Sequence, residues 1–279
     1  MKTCRVINLP TRDGTLNTVV DDYFLNKRDL DFVILFTHWR PTVSVGNSQS
    51  VAADINQNAV KRYSLDLVRR KSGGESVLLD ENYIVFSVIG RREYFPQDLT
   101  LLRKKFSEAI VSVLREMEVP AEYHVPDYVI IRNPAVQTLG NAAQIVKQHA
   151  VAIHGSVRYS LSEENLVRMV ETLMINGVSL EPYREDVKKV LGCVSAFTDI
   201  SKEEVEAAIL QKLIELYGFR RSRPDCLSEL EEKEIRDLKP NPIEDKPGYQ
   251  SRGVCHLNLD GECLLPVNTY GSRVKGRRG

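Results

Sequence analysis

The segment from Arg69 to Asp80 contains the residue types that could hold an anion. It reads Arg-Arg-Lys-Ser-Gly-Gly-Glu-Ser-Val-Leu-Leu-Asp, so three cations lead into a double glycine and a short apolar run follows. Glycine lets the backbone approach a ligand closely, and bare N–H groups beside arginines can hold a phosphate or a carboxylate. A double glycine between two apolar runs is also typical of a simple hairpin turn. The segment therefore predicts either an anion-binding turn or a plain hairpin.

Two further stretches carry polar residues next to apolar runs. One runs from Gly140 to Gln144, and the other, from His154 to Ser156, interrupts an apolar run that begins at Val151. His154 is either a ligand-binding residue or a core histidine whose hydrogen bonds are satisfied. Trp39 is more typical of core packing than of substrate recognition.

The elements that must position these residues alternate between strand and helix patterns. Leu102, Phe106, Ile110, Val113 and Leu114 recur at steps of three and four, which predicts a helix over 99–117. Periodicity and apolar runs predict further helices at 16–25, 51–63, 161–175 and 201–217, and strands at 5–9, 31–36, 42–45, 65–70, 83–89, 127–131, 142–146 and 151–159.

Composition and charge exclude several classes of protein. The 279 residues are 42% hydrophobic and 27% charged, which is typical of a globular chain with a substantial core. Lys plus Arg and Asp plus Glu both total 38, so we expect neither a nucleic-acid nor a membrane partner. No apolar run is long enough to span a bilayer, and Met1–Ile7 does not resemble a signal peptide. The five scattered cysteines favour a reducing compartment, so we expect a cytoplasmic protein.

The chain changes character near Arg220. Residues 220–247 are charged and contain four prolines, which predicts a linker with a solvated helix at 229–238. Asp260-Gly261 indicates a short hairpin, and the tail after it is basic. We therefore predict a catalytic domain over 1–219 and an appendage over 220–279.

A zinc site in the appendage is the alternative to a plain hairpin. The candidate ligands are Cys226, Cys255, His256 and Cys263. Their spacing matches no tetrahedral pattern, so we predict no metal site.

Taken together, the motifs resemble the lipoate–protein ligase and octanoyltransferase family, whose catalytic domain is related to that of biotin protein ligases. The pattern Pro-x-Val-x-x-Gly-x-x-Gln is matched over 41–49, and Arg-Arg-x-Ser-Gly-Gly-Gly-x-Val-x-x-Asp is largely matched over 69–80. The Gly-Asn-Ala-type segment at 140–144 and the His154-Gly155 pair follow at similar spacing. Asp127 also lies where the family has an aspartate before a strand. The resemblance covers roughly residues 5 to 218.

The resemblance implies an α/β (α+β) fold, in which a mixed sheet is flanked by helices, with a small C-terminal appendage. It implies an enzyme that attaches lipoate or octanoate to a lysine of a lipoyl carrier domain through an acyl-adenylate, using ATP and Mg²⁺. An accessory subunit is a possible further partner. The implied substrate- and ATP-binding residues are Arg70, Ser72, Gly73, Gly74, Val77, Asp80, Gly140, Asn141, Gln144, His154 and Gly155.

Departures from the family pattern leave the catalytic residue open. The third glycine of the triple is Glu75, and the position of the family lysine, whose ammonium offsets charge at the carboxylate and α-phosphate, reads Gln137. Lys147 is the nearest lysine downstream, and it could act only if its strand faces inward. No cysteine lies between Cys4 and Cys193, and Cys193 is expected to be a buried structural residue. The alternative to an enzyme is a non-catalytic paralogue or accessory subunit that binds lipoate or an acyl ligand.

Overall fold

The computed structural model describes residues 3–28, 32–132, 136–173, 190–219, 221–247 and 249. The strands are β1 (Thr3–Arg12), β2 (Phe32–Trp39), β3 (Thr42–Val45), β4 (Asp66–Arg69), β5 (Val77–Leu79), β6 (Tyr83–Arg91), β7 (Ala121–His124), β8 (Tyr128–Arg132), β9 (Val136–Val146), β10 (Ala150–Arg158) and β11 (Arg221–Asp225). The helices are α1 (Gly14–Asn26), α2 (Val51–Asp54), α3 (Gln57–Arg62), α4 (Leu99–Glu116), α5 (Glu163–Leu173), α6 (Lys202–Tyr217) and α7 (Glu229–Asp237).

The strands form two sheets. The larger has eight strands in the order β11-β1-β2-β6-β10-β9-β8-β7, and the smaller has the order β4-β3-β5. In the larger sheet β1 runs parallel to β2 and β11, whereas β6, β10 and β9 are antiparallel neighbours. The predicted mixed sheet flanked by helices is confirmed.

Helix α4 covers one face of the large sheet. Its predicted apolar face is buried, with Phe106 packed against Phe86 of β6 at 5.6 Å between ring centroids. Asp98 caps the helix by accepting hydrogen bonds from the N–H groups of Thr100 and Leu101. Helix α6 packs beside α4 and extends the same core.

Helix α1 covers the opposite face. Val20 and Phe24 pack there against Val33 and Leu35 of β2. The small sheet lies next to α1 and contacts it through β4 and β3. This arrangement leaves a space between α1, the small sheet and strands β9 and β10.

Several predicted boundaries differ from the structure. The helix expected over 51–63 is two helices, because Asn56 leaves the helical conformation and caps α3 with its side chain. Strand β9 begins at Val136 rather than at 142, and β7 was not predicted. No helix in the described part of the chain combines the length and apolar character that crossing a membrane requires.

The predicted linker is instead part of the fold. Strand β11 pairs with β1, and Ile235 of α7 is fully buried beside α1. Arg5 of β1 forms ion pairs with Asp225 at 2.8 Å and with Glu231 at 2.7 Å. The charges that suggested a solvated segment are therefore partnered by the N-terminal half of the chain. The predicted hairpin and basic tail lie outside the described residues.

Residues just after α7 also dock on the domain. Asp245 accepts hydrogen bonds from the Ser50 hydroxyl and the Val51 and Ala52 N–H groups at the start of α2. It also pairs with Arg69, whose Nη2 lies 2.9 Å away. Arg69 is 1% exposed, so this cation of the predicted anion-binding segment is a structural residue.

Candidate active site

A cavity occupies the space between α1, the small sheet and strands β9 and β10. It encloses about 710 Å³, including its open mouth. Its apolar wall is formed by Trp39, Val77, Leu79, Val85, Ala143 and Ile145. Its polar groups belong to Asn17, Thr18, Asp21, Thr37, Ser44, Arg70, Lys71, Ser87, Asn141, His154 and Ser156. We call this space the acyl cavity, after the ligand that the resemblance of the sequence implies.

The alternation of β9 decides which predicted residues reach the acyl cavity. Successive side chains of a strand point to opposite faces. Asn141, Ala143 and Ile145 line the cavity, so Gln144 points to the other face, where its Oε1 is enclosed without a hydrogen-bond partner among the described residues. The expectation that Gln144 and His154 face one site is therefore not met.

The glycine segment is not a hairpin. Strands β4 and β5, which it joins, both pair with β3 and not with each other. Gly74 adopts φ +92°, and a Cβ on Gly46 would lie 2.0 Å from the Gly74 carbonyl oxygen. The turn therefore needs glycine at both positions. The N–H groups of Gly73 and Gly74 have no hydrogen-bond partner within the described structure, so they remain available to a ligand.

Arg70 holds this turn in place. Its Nε donates to Ser72 Oγ at 3.1 Å, and Nη2 donates to the carbonyl oxygens of Gly73 and Glu75 at 2.9 and 2.7 Å. Nη1 donates to the Ser44 carbonyl oxygen at 2.7 Å. Burial lowers the pKa of Arg70 to about 10, against the opposing effect of Glu75. The guanidinium is cationic at neutral pH, but most of its donors shape the turn rather than face a ligand.

A chain of hydrogen bonds links the turn to α1. Ser72 Oγ lies 2.9 Å from His154 Nε2, and His154 Nδ1 lies 3.1 Å from Asp21 Oδ2, which also accepts from Ser87. Because the Asp21 carboxylate can only accept, the hydrogen between it and His154 belongs to Nδ1, and the Nε2 of the neutral ring then accepts from the Ser72 hydroxyl. Ser72 is 1% exposed and does not line the cavity. The Ser-His-Asp chain therefore braces the turn, and Ser72 is not placed to attack a substrate.

Lys71 is the lysine that lines the acyl cavity within the described structure. Its Nζ lies 2.6 Å from Asp22 Oδ2. Burial raises the pKa of Asp22, and the pairing with Lys71 opposes that shift. Lys147 lies beyond the end of β9 and donates to Asn26 at 2.6 Å, so it is not part of the cavity wall.

A second, smaller cavity adjoins the first. It measures about 480 Å³ including its open mouth, and it shares Val77, Asn141 and Ser156 with the acyl cavity. We call it the head cavity, because most of its lining residues are polar. Its remaining lining residues are Glu75, Ser76, Tyr83, Tyr128, Thr138, Leu139, Gly140, Arg158 and Leu191.

Other predicted residues lie outside both cavities. Asp80 is buried and accepts hydrogen bonds from Asn82 and from Asn165 of α5, so it braces a turn. Gln137 lies beside Gly192, where a Cβ on the glycine would contact the Gln137 Cβ at 3.2 Å. Neither residue lines a cavity.

None of the described cysteines is among the residues that line the two cavities. Burial raises the pKa of Cys4 to about 12, and Cys4 lies in the core. Cys193 is half-buried rather than buried as expected, and Cys226 is exposed. The remaining candidate zinc ligands lie outside the described residues; they are Cys255, His256 and Cys263.

Sequence reasoning placed Arg70, Val77, Asn141, His154 and Gly155 at the acyl cavity, and the structure brings them together there. It missed Asn17, Asp21, Lys71 and Arg158. Lys71 and Arg158 could have been recognised from the sequence, because Lys71 lies inside the basic motif and Arg158 ends an apolar strand. Asn17 and Asp21 lie on a helix far away in sequence, and no sequence pattern indicates them.

Comparison with known proteins identifies relatives of two named activities. An octanoyltransferase LipM of Halalkalibacterium halodurans is 28% identical over 271 residues, which cover 85% of this chain and 95% of that protein. Lipoate–protein ligase 1 of Staphylococcus aureus is 27% identical over 207 residues, which cover 72% of this chain and 58% of that protein.

Solved structures share the fold. A bipartite lipoate protein ligase from Thermoplasma acidophilum superposes with a TM-score of 0.74 at 20% identity, over 84% of this chain and 90% of that chain. A lipoate–protein ligase A bound with ATP superposes with a TM-score of 0.68 at 21% identity, over 84% of this chain and 93% of that chain.

The family model for the lipoyl protein ligase A/B catalytic domain matches residues 13–214, well over half of the 279 residues. This match, together with the relatives, confirms the resemblance found in the sequence and the expectation of an enzyme. The chain belongs to the lipoyl protein ligase A/B catalytic-domain family.

Proposed function

We propose that this protein attaches a lipoyl or octanoyl group to a lysine of a lipoyl carrier domain, and that the acyl chain binds in the acyl cavity. The observation that carries the proposal is the set of six apolar residues in the cavity lining, among them Trp39 and Ile145, which share this lining with the cations Arg70 and Lys71. An apolar pocket with a few convergent polar groups suits a fatty-acyl chain with a reactive head.

The leading route runs through an acyl-adenylate. A carboxylate oxygen of lipoate or octanoate attacks the α-phosphorus of ATP and displaces pyrophosphate. The carrier lysine then attacks the acyl carbonyl carbon, and AMP leaves. The free N–H groups of Gly73 and Gly74 and the ammonium of Lys71 supply donors for a phosphate. Mg²⁺ enters with the phosphates, since proteins usually hold it through substrate phosphates, waters and one or two carboxylates.

A second route is supported by the octanoyltransferase relatives. In that route the carrier lysine takes an octanoyl group from a carrier-protein thioester, and the thiol leaves. None of the cysteines in the described residues lines the acyl cavity, so these residues offer no nucleophile for an acyl-enzyme. The adenylate route is favoured because the N–H groups of Gly73 and Gly74 and the ammonium of Lys71 supply donors for a phosphate.

The two routes differ in their need for ATP. The purified protein is incubated with ATP, Mg²⁺ and lipoate or octanoate, and acyl-AMP is sought by mass spectrometry. A parallel reaction contains octanoyl carrier protein and an acceptor lipoyl domain without ATP. Acyl-AMP supports the ligase, and ATP-independent transfer supports the transferase. Binding of lipoate in a calorimetric titration without either product would leave the non-catalytic paralogue.

Filling the acyl cavity tests where the chain binds. Ala143 lines the cavity and is paired with His154 in the sheet. We expect Ala143→Leu to weaken lipoate binding at least tenfold while the unfolding temperature stays within a few degrees, because the added side chain occupies ligand space. The matched control is Ala207→Leu on the exposed face of α6. Unchanged lipoate affinity in Ala143→Leu would place the acyl chain elsewhere.

A further inference from the structure

Arg158, in the last position of β10, is a buried cation that has no acidic partner among the residues that the structure describes. It is 6% exposed, and its hydrogen bonds go to neutral oxygens: Nε to the Tyr83 hydroxyl at 2.9 Å, and Nη1 to the carbonyl oxygens of Thr138 and Gly192 at 2.9 and 3.0 Å. No carboxylate among the described residues pairs with it. Burying an uncompensated charge is costly, so a site that retains one is suited to an anionic ligand.

The free donors of Arg158 belong to the head cavity. Nη2 makes no hydrogen bond within the described structure, and Arg158 is part of the cavity lining. Tyr83 accepts from Nε, which leaves its own hydroxyl hydrogen to donate. Thr138 Oγ1 is enclosed without a partner in the described part of the chain, and Thr138 lines the same cavity. Arg158, Tyr83 and Thr138 therefore bring three donor groups to the lining of one cavity, which also includes the acidic Glu75.

The head cavity is also in the right place relative to the acyl cavity. Val77 and the hydrogen-bonded pair Ser156 and Asn141 form the wall that the two cavities share. A ligand whose chain lies along the apolar wall would bring its head group to this boundary.

We propose that Arg158 binds the carboxylate of the acyl substrate, and subsequently the phosphate of its adenylate, and so supplies the positive charge that Gln137 lacks. Arg158 is hydrogen-bonded to Thr138, the residue after Gln137, so the cation comes from β10 rather than from β9. A guanidinium suits this task because it can donate to two oxygens of a planar carboxylate at once. The inference rests on the proposed function, since it assumes an acyl acid as ligand.

Comparing the binding of lipoate and lipoamide distinguishes recognition of the ligand's charge from recognition of its acyl tail. Both carry the same acyl tail, and only lipoate carries a carboxylate. We expect wild-type protein to bind lipoate at least tenfold more tightly than lipoamide in calorimetric titrations. Arg158→Gln should weaken lipoate binding roughly 10- to 100-fold, the usual effect of losing a hydrogen bond to a charged group. It should leave lipoamide binding within about twofold.

A matched arginine keeps the test sharp. Within the described residues, Arg92 donates only to backbone carbonyl oxygens, those of Phe95, Pro96 and Gln97, and it lies outside both cavities. Arg92→Gln should therefore leave both affinities unchanged.

Several results would overturn the proposal. Equal loss of lipoate and lipoamide binding in a folded Arg158→Gln protein would make Arg158 a structural brace. Unchanged lipoate affinity in Arg158→Gln would also overturn the proposal. Equal affinities of the wild-type protein for lipoate and lipoamide would overturn it as well, and this test does not depend on the folding of a variant. If the wild type bound neither ligand, the proposed function itself would fail.

Discussion

Asp127 is a half-buried carboxyl whose ionisation opposes folding. Burial raises its pKa to about 6, and the guanidinium of Arg103, 3.7 Å away, only partly counters this. The backbone of Asp127 is fixed, because its carbonyl oxygen accepts from Ser107 Oγ and from the N–H of Ala142. With an unfolded pKa of 3.8, the folded protein binds more protons between about pH 4 and pH 6. Stability therefore falls as pH rises through that window.

Replacing the Asp127 carboxyl should flatten the dependence of stability on pH. The free energy of unfolding of the wild type should decline by about 1–2 kcal/mol between pH 4 and pH 7, and Asp127→Asn should remove this decline. The expected value is smaller than the full pKa shift would give, because the side chain is partly exposed. Urea unfolding at four pH values measures it. Asp237→Asn on the exposed face of α7 is the control. Parallel profiles for wild type and Asp127→Asn would contradict the prediction.

The residue scale also shows what sequence could predict. The motif placed Val77, Asn141 and His154 correctly, since each lies in a segment whose residue types match a known pattern. It failed for Gln144, because a shift of one residue along a strand moves a side chain to the other face. Asp21 reaches His154 across 133 positions of sequence, and no periodicity reveals such a contact.

At the scale of elements, the glycine turn is a crossing between two strands that share β3 as a neighbour. The apolar runs predicted β4 but not the short strand β5, and the periodicity predicted α4 almost to its ends. What sequence did not predict was the order of the strands, since pairing depends on contacts between distant segments. The plain-hairpin interpretation failed for that reason.

The two glycines of the turn should respond differently to alanine. Gly74 has φ +92°, whereas a Cβ on Gly73 would meet nothing within 4 Å and Gly73 has no positive φ. We expect Gly74→Ala to lower the free energy of unfolding by about 1–3 kcal/mol, because a side chain strains the backbone there. Gly73→Ala, the matched control, should change stability by less than about 1 kcal/mol. Chemical unfolding compares them, and equal effects would mean that the turn does not require positive φ.

At the scale of the whole molecule, the segment after α6 packs on the N-terminal part of the chain. Its charges suggested a solvated linker, but Arg5, Arg12 and Lys27 pair with Glu231, Glu232 and Glu234 of α7. Partners more than 200 residues apart cannot be recognised from composition. The docking of Asp245 on Arg69 extends this contact to the glycine segment, so the C-terminal part of the chain supports the site's scaffold.

Substituting two apolar residues of α7 tests whether this helix unfolds together with the rest of the domain. Ile235 is fully buried against α1, and Leu230 is 64% exposed. Truncating a buried isoleucine to alanine typically costs about 2–5 kcal/mol, because apolar contacts are lost and a cavity remains. We therefore expect Ile235→Ala to lower the free energy of unfolding of the whole domain by about 2–4 kcal/mol in a single transition, and Leu230→Ala to change it by less than about 0.5 kcal/mol. Urea unfolding followed by tryptophan fluorescence is suitable, since Trp39 lies in the wall of the acyl cavity. If Ile235→Ala left that transition unchanged, α7 would be a separate appendage, and the domain boundary expected near residue 219 would stand.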